Sequence, residues 1–164
     1  SMKLRGDYKI VLVAVQNGPA IEYASEELKN NFTIAMTAIK EDNGALEFVS
    51  KNLRNDHRII MTAVKEDEGA LQHASNRLLN YKPIVLAAVR QNGYALHYAS
   101  KRLKNDYDVV LAAVKQNGYY LKLASESLRS NYNIVLAAVK QNNDALRYAS
   151  DDLKKNYEII KSTF

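Results

Sequence analysis

Residues 91–125 read QNGYALHYASKRLKNDYDVVLAAVKQNGYYLKLAS. The same phrase is written twice: Gln-Asn-Gly opens it at Gln91 and Gln116, and Ala-Ser closes it at Ser100 and Ser125. Outward from this stretch, a Leu recurs at Leu4, Leu28, Leu53, Leu78, Leu103, Leu128 and Leu153, 25 residues apart except for 24 in the first copy. Ala14, Ala38, Ala63, Ala88, Ala113 and Ala138 form a second column, and Ser25, Ser50, Ser75, Ser100, Ser125 and Ser150 a third. A fixed period of this size marks a repeat architecture, in which each copy buries its apolar face only against its neighbours.

Each copy reads as two short helices. In the fifth, Asp106 is a good N-cap, and Asn31, Asp56, Asn131 and Asn156 hold the same place. Tyr107, Val110, Leu111 and Val114 follow at helical spacing, and Lys115 falls in the last turn, beside the negative end of the helix dipole. Gln116-Asn117-Gly118 then stops the helix, with Gly expected as a left-handed cap. Pro83 sits in a first turn, where its missing N–H costs little. In the second helix, Leu96, Ala99 and Leu103 share one face. Ser100 either bonds back to a carbonyl inside a continuous helix or caps a separate turn, Ser-x-x-Leu. Both readings make the Ser structural. Six equivalent nucleophiles with no recurring base beside them would make no chemical sense.

The expected fold is all-α: an α-solenoid of six 25-residue two-helix repeats, starting at about residues 4, 28, 53, 78, 103 and 128, in one domain over 1–164. A C-terminal half repeat over 153–164 is expected to cap it. There Lys161 replaces the column of Leu12, Met36, Met61, Leu86, Leu111 and Leu136, and Ser162 replaces Ala or Thr. That contrast predicts that Leu111 and Ala113 are buried between repeats, and that the array ends here.

The pattern LKNDYDVVLAAVKQNGYALHYAS resembles the tandem repeats of the family called domain of unknown function 4116, and the resemblance covers nearly the whole chain. Copies two and three depart from it, with Glu41-Asp42-Asn43-Gly44 and Glu66-Asp67-Glu68-Gly69 in place of Gln-Asn-Gly. The resemblance implies a helical repeat fold and brings no catalytic residues with it.

Composition narrows the chemistry. Apolar residues make up 47% of the 164 and charged residues 25%, as in a globular protein, and there is no Cys and no Trp. Disulfides, thiolate metal sites and cysteine nucleophiles are thereby excluded. No apolar run approaches the roughly 20 residues that span a bilayer. Lacking a signal peptide and Cys, the chain is expected to be intracellular, or a fragment of a secreted effector-like protein; Ser1-Met2 reads as a remnant of expression. His57, His73 and His97 lie at unrelated positions. His57 and His73 replace aromatics, so partial burial is expected there rather than metal ligation. Glu66-Asp67-Glu68 reads as a solvated loop. No enzyme, cofactor or metal site is expected.

Two aromatic columns, Tyr8, Phe32, Tyr107, Tyr132, Tyr157 and Tyr23, Phe48, Tyr98, Tyr148, are broken by Lys82 and Leu123. Packing between repeats with the hydroxyls at the surface is the expectation for both. Base stacking is the alternative.

Charge is the most informative surface feature. Residues 1–77 carry 10 Lys and Arg against 11 Asp and Glu; residues 78–164 carry 13 against 7, giving +5 for the whole chain. One column, Glu22, Glu47, Gln72, His97, Lys122, Arg147, turns from acidic to basic along the array. It is the candidate binding line. A basic column, Lys40, Lys65, Arg90, Lys115, Lys140, is expected to serve the helix dipole. Another, Arg5, Lys29, Arg54, Lys104, Arg129, Lys154, is expected to be a solvated edge. The expected function is a non-catalytic scaffold, monomeric, that binds a partner protein or peptide along a groove of graded charge. The alternative is nucleic-acid binding through the basic C-terminal half.

Overall fold

The computed structural model describes residues 2–67, 69–156, 159 and 161. They are all-α, with no strand among the described residues. The chain forms two compact units, Ser1–Leu78 and Leu79–Phe164, each a short stack of the tandem repeats.

The capping column sets where each first helix starts. Asp7, Asn31, Asp56, Asp106 and Asn131 have extended backbones and accept from the amide two or three residues on. Asn31 Oδ1 accepts from Ile34 N at 3.1 Å and Asp106 Oδ1 from Val109 N at 3.2 Å. Asn156 accepts likewise from Ile159 N at 3.2 Å. Arg58 grips Asp56 with its side chain and holds that carboxyl at about 2, well below the usual range. Tyr81 takes the cap position in the fourth repeat without a side-chain bond, and Pro83 stands in the first turn.

The helices that follow are Tyr8–Gln16, Phe32–Glu41 and His57–Glu66 in the first unit, and Lys82–Gln91, Tyr107–Gln116 and Tyr132–Gln141 in the second. Within each unit every one packs on the next. Val109, Val110, Ala113 and Val114 have no exposed surface. The same columns are buried in the neighbouring repeats, so the core is a ladder of β-branched residues and Ala. Leu111 departs from expectation. It is half-exposed, as are Leu86 and Leu136. The four buried positions already meet all the helix's neighbours, which leaves the Leu on the open side. Lys161, exposed at the same column, therefore says nothing about a repeat beyond it. Tyr157, Glu158, Ile160 and 162–164 of the expected cap lie outside the described residues.

Gln-Asn-Gly ends the first helix in a different way from a left-handed cap. Among the described residues only Gly18 has a positive φ. Asn117 is extended (φ −153°, ψ 119°), and its side chain accepts from Tyr119 N at 2.9 Å to start a 3-10 helix, Gly118–Leu123. Gly118 is required by space instead: a Cβ there would stand 2.0 Å from the carbonyl oxygen of Ala138. Gly93 likewise would meet the Tyr120 ring at 2.6 Å. Gln116 clasps the repeat before it, accepting from Gly93 N at 2.6 Å and donating to the carbonyls of Val89 and Arg90 at 2.6 and 2.9 Å.

The second helix is broken at the Ser column, which decides between the two readings of Ser100. Each repeat runs a 3-10 segment, then an Ala-Ser pair (Val49-Ser50 in the second repeat), extended at Ala124 (ψ 158°) and Ser125 (ψ 159°), then a single turn. The extended Ser turns its N–H to the previous repeat: Ser50 to Lys29 O at 3.1 Å, Ser100 to Leu79 O at 2.9 Å, Ser125 to Lys104 O at 2.8 Å. Its hydroxyl acts twice. Ser100 Oγ accepts from Leu103 N at 3.3 Å and donates to Asn80 Oδ1 at 2.7 Å. Ser50, Ser75 and Ser125 bond Asn30, Asn55 and Asn105 in the same way, each at 2.6 Å. Where Ser130 replaces the Asn, Ser150 keeps its backbone bond at 3.0 Å but its side chain caps nothing.

The basic column beside the Leu is mostly half-buried, not a solvated edge. Arg54 and Arg129 each bury an Nε that has no acceptor. Lys104 donates to His97 O at 2.7 Å, and burial lowers its pKa.

Two outcomes follow. Ser100→Ala should lower stability by roughly 0.5–2 kcal/mol, the usual loss for a capping hydroxyl. A urea melt superimposable on the parent's would refute the ladder. Ile134→Ala, at a site with no exposure, should cost about 2–5 kcal/mol, and Leu111→Ala clearly less. Equal shifts in the two melts would put Leu111 back in the core.

Candidate functional site

The six residues of the graded column all sit on the 3-10 segments. Glu22 lies in Ile21–Tyr23, Glu47 in Asn43–Glu47 and Gln72 in Ala70–His73 of the first unit. His97 lies in Gly93–His97, Lys122 in Gly118–Leu123 and Arg147 in Asn143–Tyr148 of the second. Ile21, Leu46, Leu71, Leu96 and Leu121 come immediately before five of them and are fully buried. Each anchored Ile or Leu turns the next side chain outward. Glu47, Gln72, His97, Lys122 and Arg147 are exposed and Glu22 is half-buried. In the first unit Glu47 borders a cleft of about 570 Å³, together with Lys29, Phe48, Ser50 and Arg54.

The 3-10 geometry creates contacts that an α-helical reading misses. With three residues per turn, side chains at i and i+3 lie above one another. Tyr94 and His97 stack, with ring centroids 5.3 Å apart and planes 3° from parallel. Lys122 Nζ stands 3.8 Å over the Tyr119 ring. Arg147 pairs with Asp144 at 3.0 Å. One residue further on, Tyr98 meets His97 edge-on at 5.2 Å, and Tyr148 meets Tyr119 edge-on at 5.5 Å. The Lys122 ammonium, aided by the Tyr148 hydroxyl, holds the Tyr119 pKa below its ordinary value. Partial burial and the contact with Tyr119 raise that of Tyr148. The second unit thus carries three successive 3-10 turns, each with a cation or imidazole over an aromatic or acidic partner. In the first unit Gly44 precedes Glu47 and Gly69 precedes Gln72 at that spacing, so no such pair forms. The pairing was open to a period-three reading of Tyr94/His97, Tyr119/Lys122 and Asp144/Arg147.

The aromatic column after the caps is half-packed, with Tyr8, Tyr107 and Tyr132 each about 40% exposed. Phe32 lies under the Arg58 guanidinium, 4.3 Å from its ring centroid. Tyr157 lies outside the described residues. Lys82, which interrupts this column, bridges Asp106 and Asp108 at 2.8 and 2.7 Å. Partial burial works against the Asp106 charge, but Lys82 and two backbone amides outweigh it and lower its pKa. Of the histidines, His73 is half-buried as expected, and His57 is exposed, because the first position of its helix faces outward. Asp67 is engaged in capping, accepting from Gly69 N at 2.8 Å. Glu68 lies outside the described residues. No group of three His, Cys, Asp or Glu able to hold a metal occurs among the described residues. No helix among them is long and apolar enough to cross a membrane.

The family model for "Domain of unknown function (DUF4116)" matches the chain six times in overlapping register, over residues 7–54, 31–79, 56–104, 81–129, 106–154 and 131–162. The first five matches each take in about two of the repeats and the last a little more than one, and together they run through both units. The chain belongs to this family. No curated protein and no solved structure matches it.

Lys122→Met should raise the Tyr119 pKa toward its ordinary value, since the cation that favours the phenolate is gone. NMR of the ring carbons during an alkaline titration reads this directly. An unchanged Tyr119 titration would mean that Lys122 does not rest on the ring.

Proposed function

We propose that this member of the domain of unknown function 4116 family is a non-catalytic recognition scaffold, binding a partner protein or peptide through the exposed faces of its 3-10 segments. One observation carries the reading. The same position of the 3-10 segment is held by Glu22 and Glu47 in the first unit and by Lys122 and Arg147 in the second. A frame that keeps its core and reverses its surface charge suits selective contact with a partner.

Physical chemistry supports a protein partner. Tyr and Arg are enriched at protein interfaces, and rings already ordered by Lys122 and His97 lose little freedom on binding. Charges of this kind steer encounter and reject wrong partners more than they deepen affinity. The partner would present acidic groups to the second unit and basic groups to the first. Nucleic-acid binding through the second unit is the competing reading, supported by its exposed tyrosines and cations. Against it, one face of the Tyr94 ring and one of the Tyr119 ring are already covered. Glu22 and Glu47 would also repel a phosphate backbone.

Two double charge reversals separate these readings, measured on material captured from a lysate with and without nuclease. Lys122→Glu with Arg147→Glu should slow association and flatten its dependence on salt for either class of partner. Glu22→Lys with Glu47→Lys should weaken a protein partner and strengthen a nucleic acid, because it removes repulsion and adds phosphate contacts. Strengthening by the second pair would replace the protein reading with the nucleic-acid one. If neither pair changes binding, the column is a solvated face and both readings fail.

A further inference from the structure

We infer that the open side of the first helices in the second unit is a docking surface for an acidic amphipathic helix. This surface is separate from the 3-10 faces and does not depend on their role. In Tyr107–Gln116 the buried row is Val109, Val110, Ala113 and Val114. The opposite row, at i, i+3, i+4 and i+7, is Asp108, Leu111, Ala112 and Lys115. A surface helix ordinarily gives that row to polar residues. Here its centre is a half-exposed Leu in each of the three helices: Leu86, Leu111 and Leu136. An open cleft of about 340 Å³ lies along Leu86 and Leu111, rimmed by Arg90, Lys115 and Asp108, whose carboxylate is already engaged by Lys82 at 2.7 Å.

The rim decides the sign of the occupant. Arg90, Lys115 and Lys140 are exposed, and none of them forms an ion pair among the described residues. Their place in the last turn suits the helix dipole, but the dipole does not account for the Leu that stands one turn before each of them. A cation beside a partly exposed Leu, three times over, fits a partner that brings an apolar side chain and a carboxylate together.

Spacing decides its form. Packed helices lie about 8–10 Å apart, so successive Leu residues recur at about that distance. An α-helix rises 1.5 Å per residue, so a heptad advances about 10.5 Å, close to the upper end of that spacing, and every seventh side chain returns to nearly the same face. A helix laid across the three would offer one apolar residue per heptad to each Leu, and a Glu near each cation. Side chains on one face of an extended strand recur every ~6.6 Å, out of step with the row.

The test uses the whole chain and three synthetic peptides of about 21 residues, three heptads each. The first carries Leu on one face with Glu flanking it, the second the same residues scrambled, and the third Lys for every Glu. Fluorescence anisotropy should show the first binding at least tenfold more tightly than the other two. Lys115→Glu with Lys140→Glu should weaken it at least tenfold, and Leu111→Ser should weaken it too. Lys122→Glu with Arg147→Glu should leave it within about twofold, and circular dichroism checks that every variant is folded. Equal binding of the scrambled peptide would reduce the effect to unspecific attraction and overturn the proposal. So would a loss at Lys122 and Arg147 as large as that at Lys115 and Lys140, or no binding of any of the three.

Discussion

One backbone hydrogen bond per repeat organises the rest of the molecule: the N–H of each column Ser reaching a carbonyl of the repeat before it. In a continuous α-helix that N–H would be satisfied four residues back in its own repeat. At Ser125 it goes instead to Lys104 O, 21 residues earlier. To make that reach, Ala124 and Ser125 must be extended, and the helix cannot run through them. The break leaves orphan amides on the turn that follows, and the Ser hydroxyl caps one of them at Leu128 N. Its proton goes to the Asn of the previous repeat, Asn105 Oδ1 at 2.6 Å. Ser, the Leu three residues on and the Asn twenty residues back are thus parts of one joint. All three occur together at Ser50, Ser75, Ser100 and Ser125, whereas Ser150, with Ser130 in place of the Asn, keeps the backbone bond without the cap.

The same joint shapes the surface. Only six residues separate the capping Asn of the 3-10 segment from the Ala-Ser pair, and a short run of this kind closes as a 3-10 helix. Its three-residue turn brings Tyr94 beneath His97 and Tyr119 beneath Lys122. An α-helix would have set each of those pairs some 60° apart around its axis, since it turns about 100° per residue. The aromatic and basic surface of the second unit is thus a consequence of how its repeats are tied together.

The period of 25, the caps at Asn31, Asp56, Asp106 and Asn131, and the buried Ala column were all legible in the sequence. They depend on neighbours within a turn or two, where residue type and spacing are sufficient. Three features were not. The role of Gly118 depends on the Ala138 carbonyl, 20 residues away in sequence, and a glycine before a new segment looks the same whether φ or space requires it. The Asn partners of Ser50, Ser75, Ser100 and Ser125 were hidden because Asn beside a helix end is explained well enough by local turn chemistry. Leu111 was misplaced because an apolar column at helical spacing is ordinarily core, and no local rule says which side of a ten-residue helix stays open. The candidate line of Glu22 to Arg147 was found as a column of changing charge. Its geometry was missed because the period was taken as that of an α-helix.

A joint made of backbone groups, Ser and Asn, around a core of Val, Ile and Ala, asks nothing of the residues that point outward. Charge changes on such exposed positions ordinarily alter stability by a few tenths of a kcal/mol, far less than a change in the core. Glu47 and Lys122 therefore occupy one place in the repeat without disturbing the fold around either. The fourth repeat shows the same tolerance at its start, where Tyr81 replaces the cap, Pro83 presets the first turn, and Lys82 ties the helix to Asp106 and Asp108 of the next repeat. Such a frame separates two demands that compete in most domains. Stability resides in the buried columns and in the joints between repeats, and the outward rows are left free to vary in sign and shape.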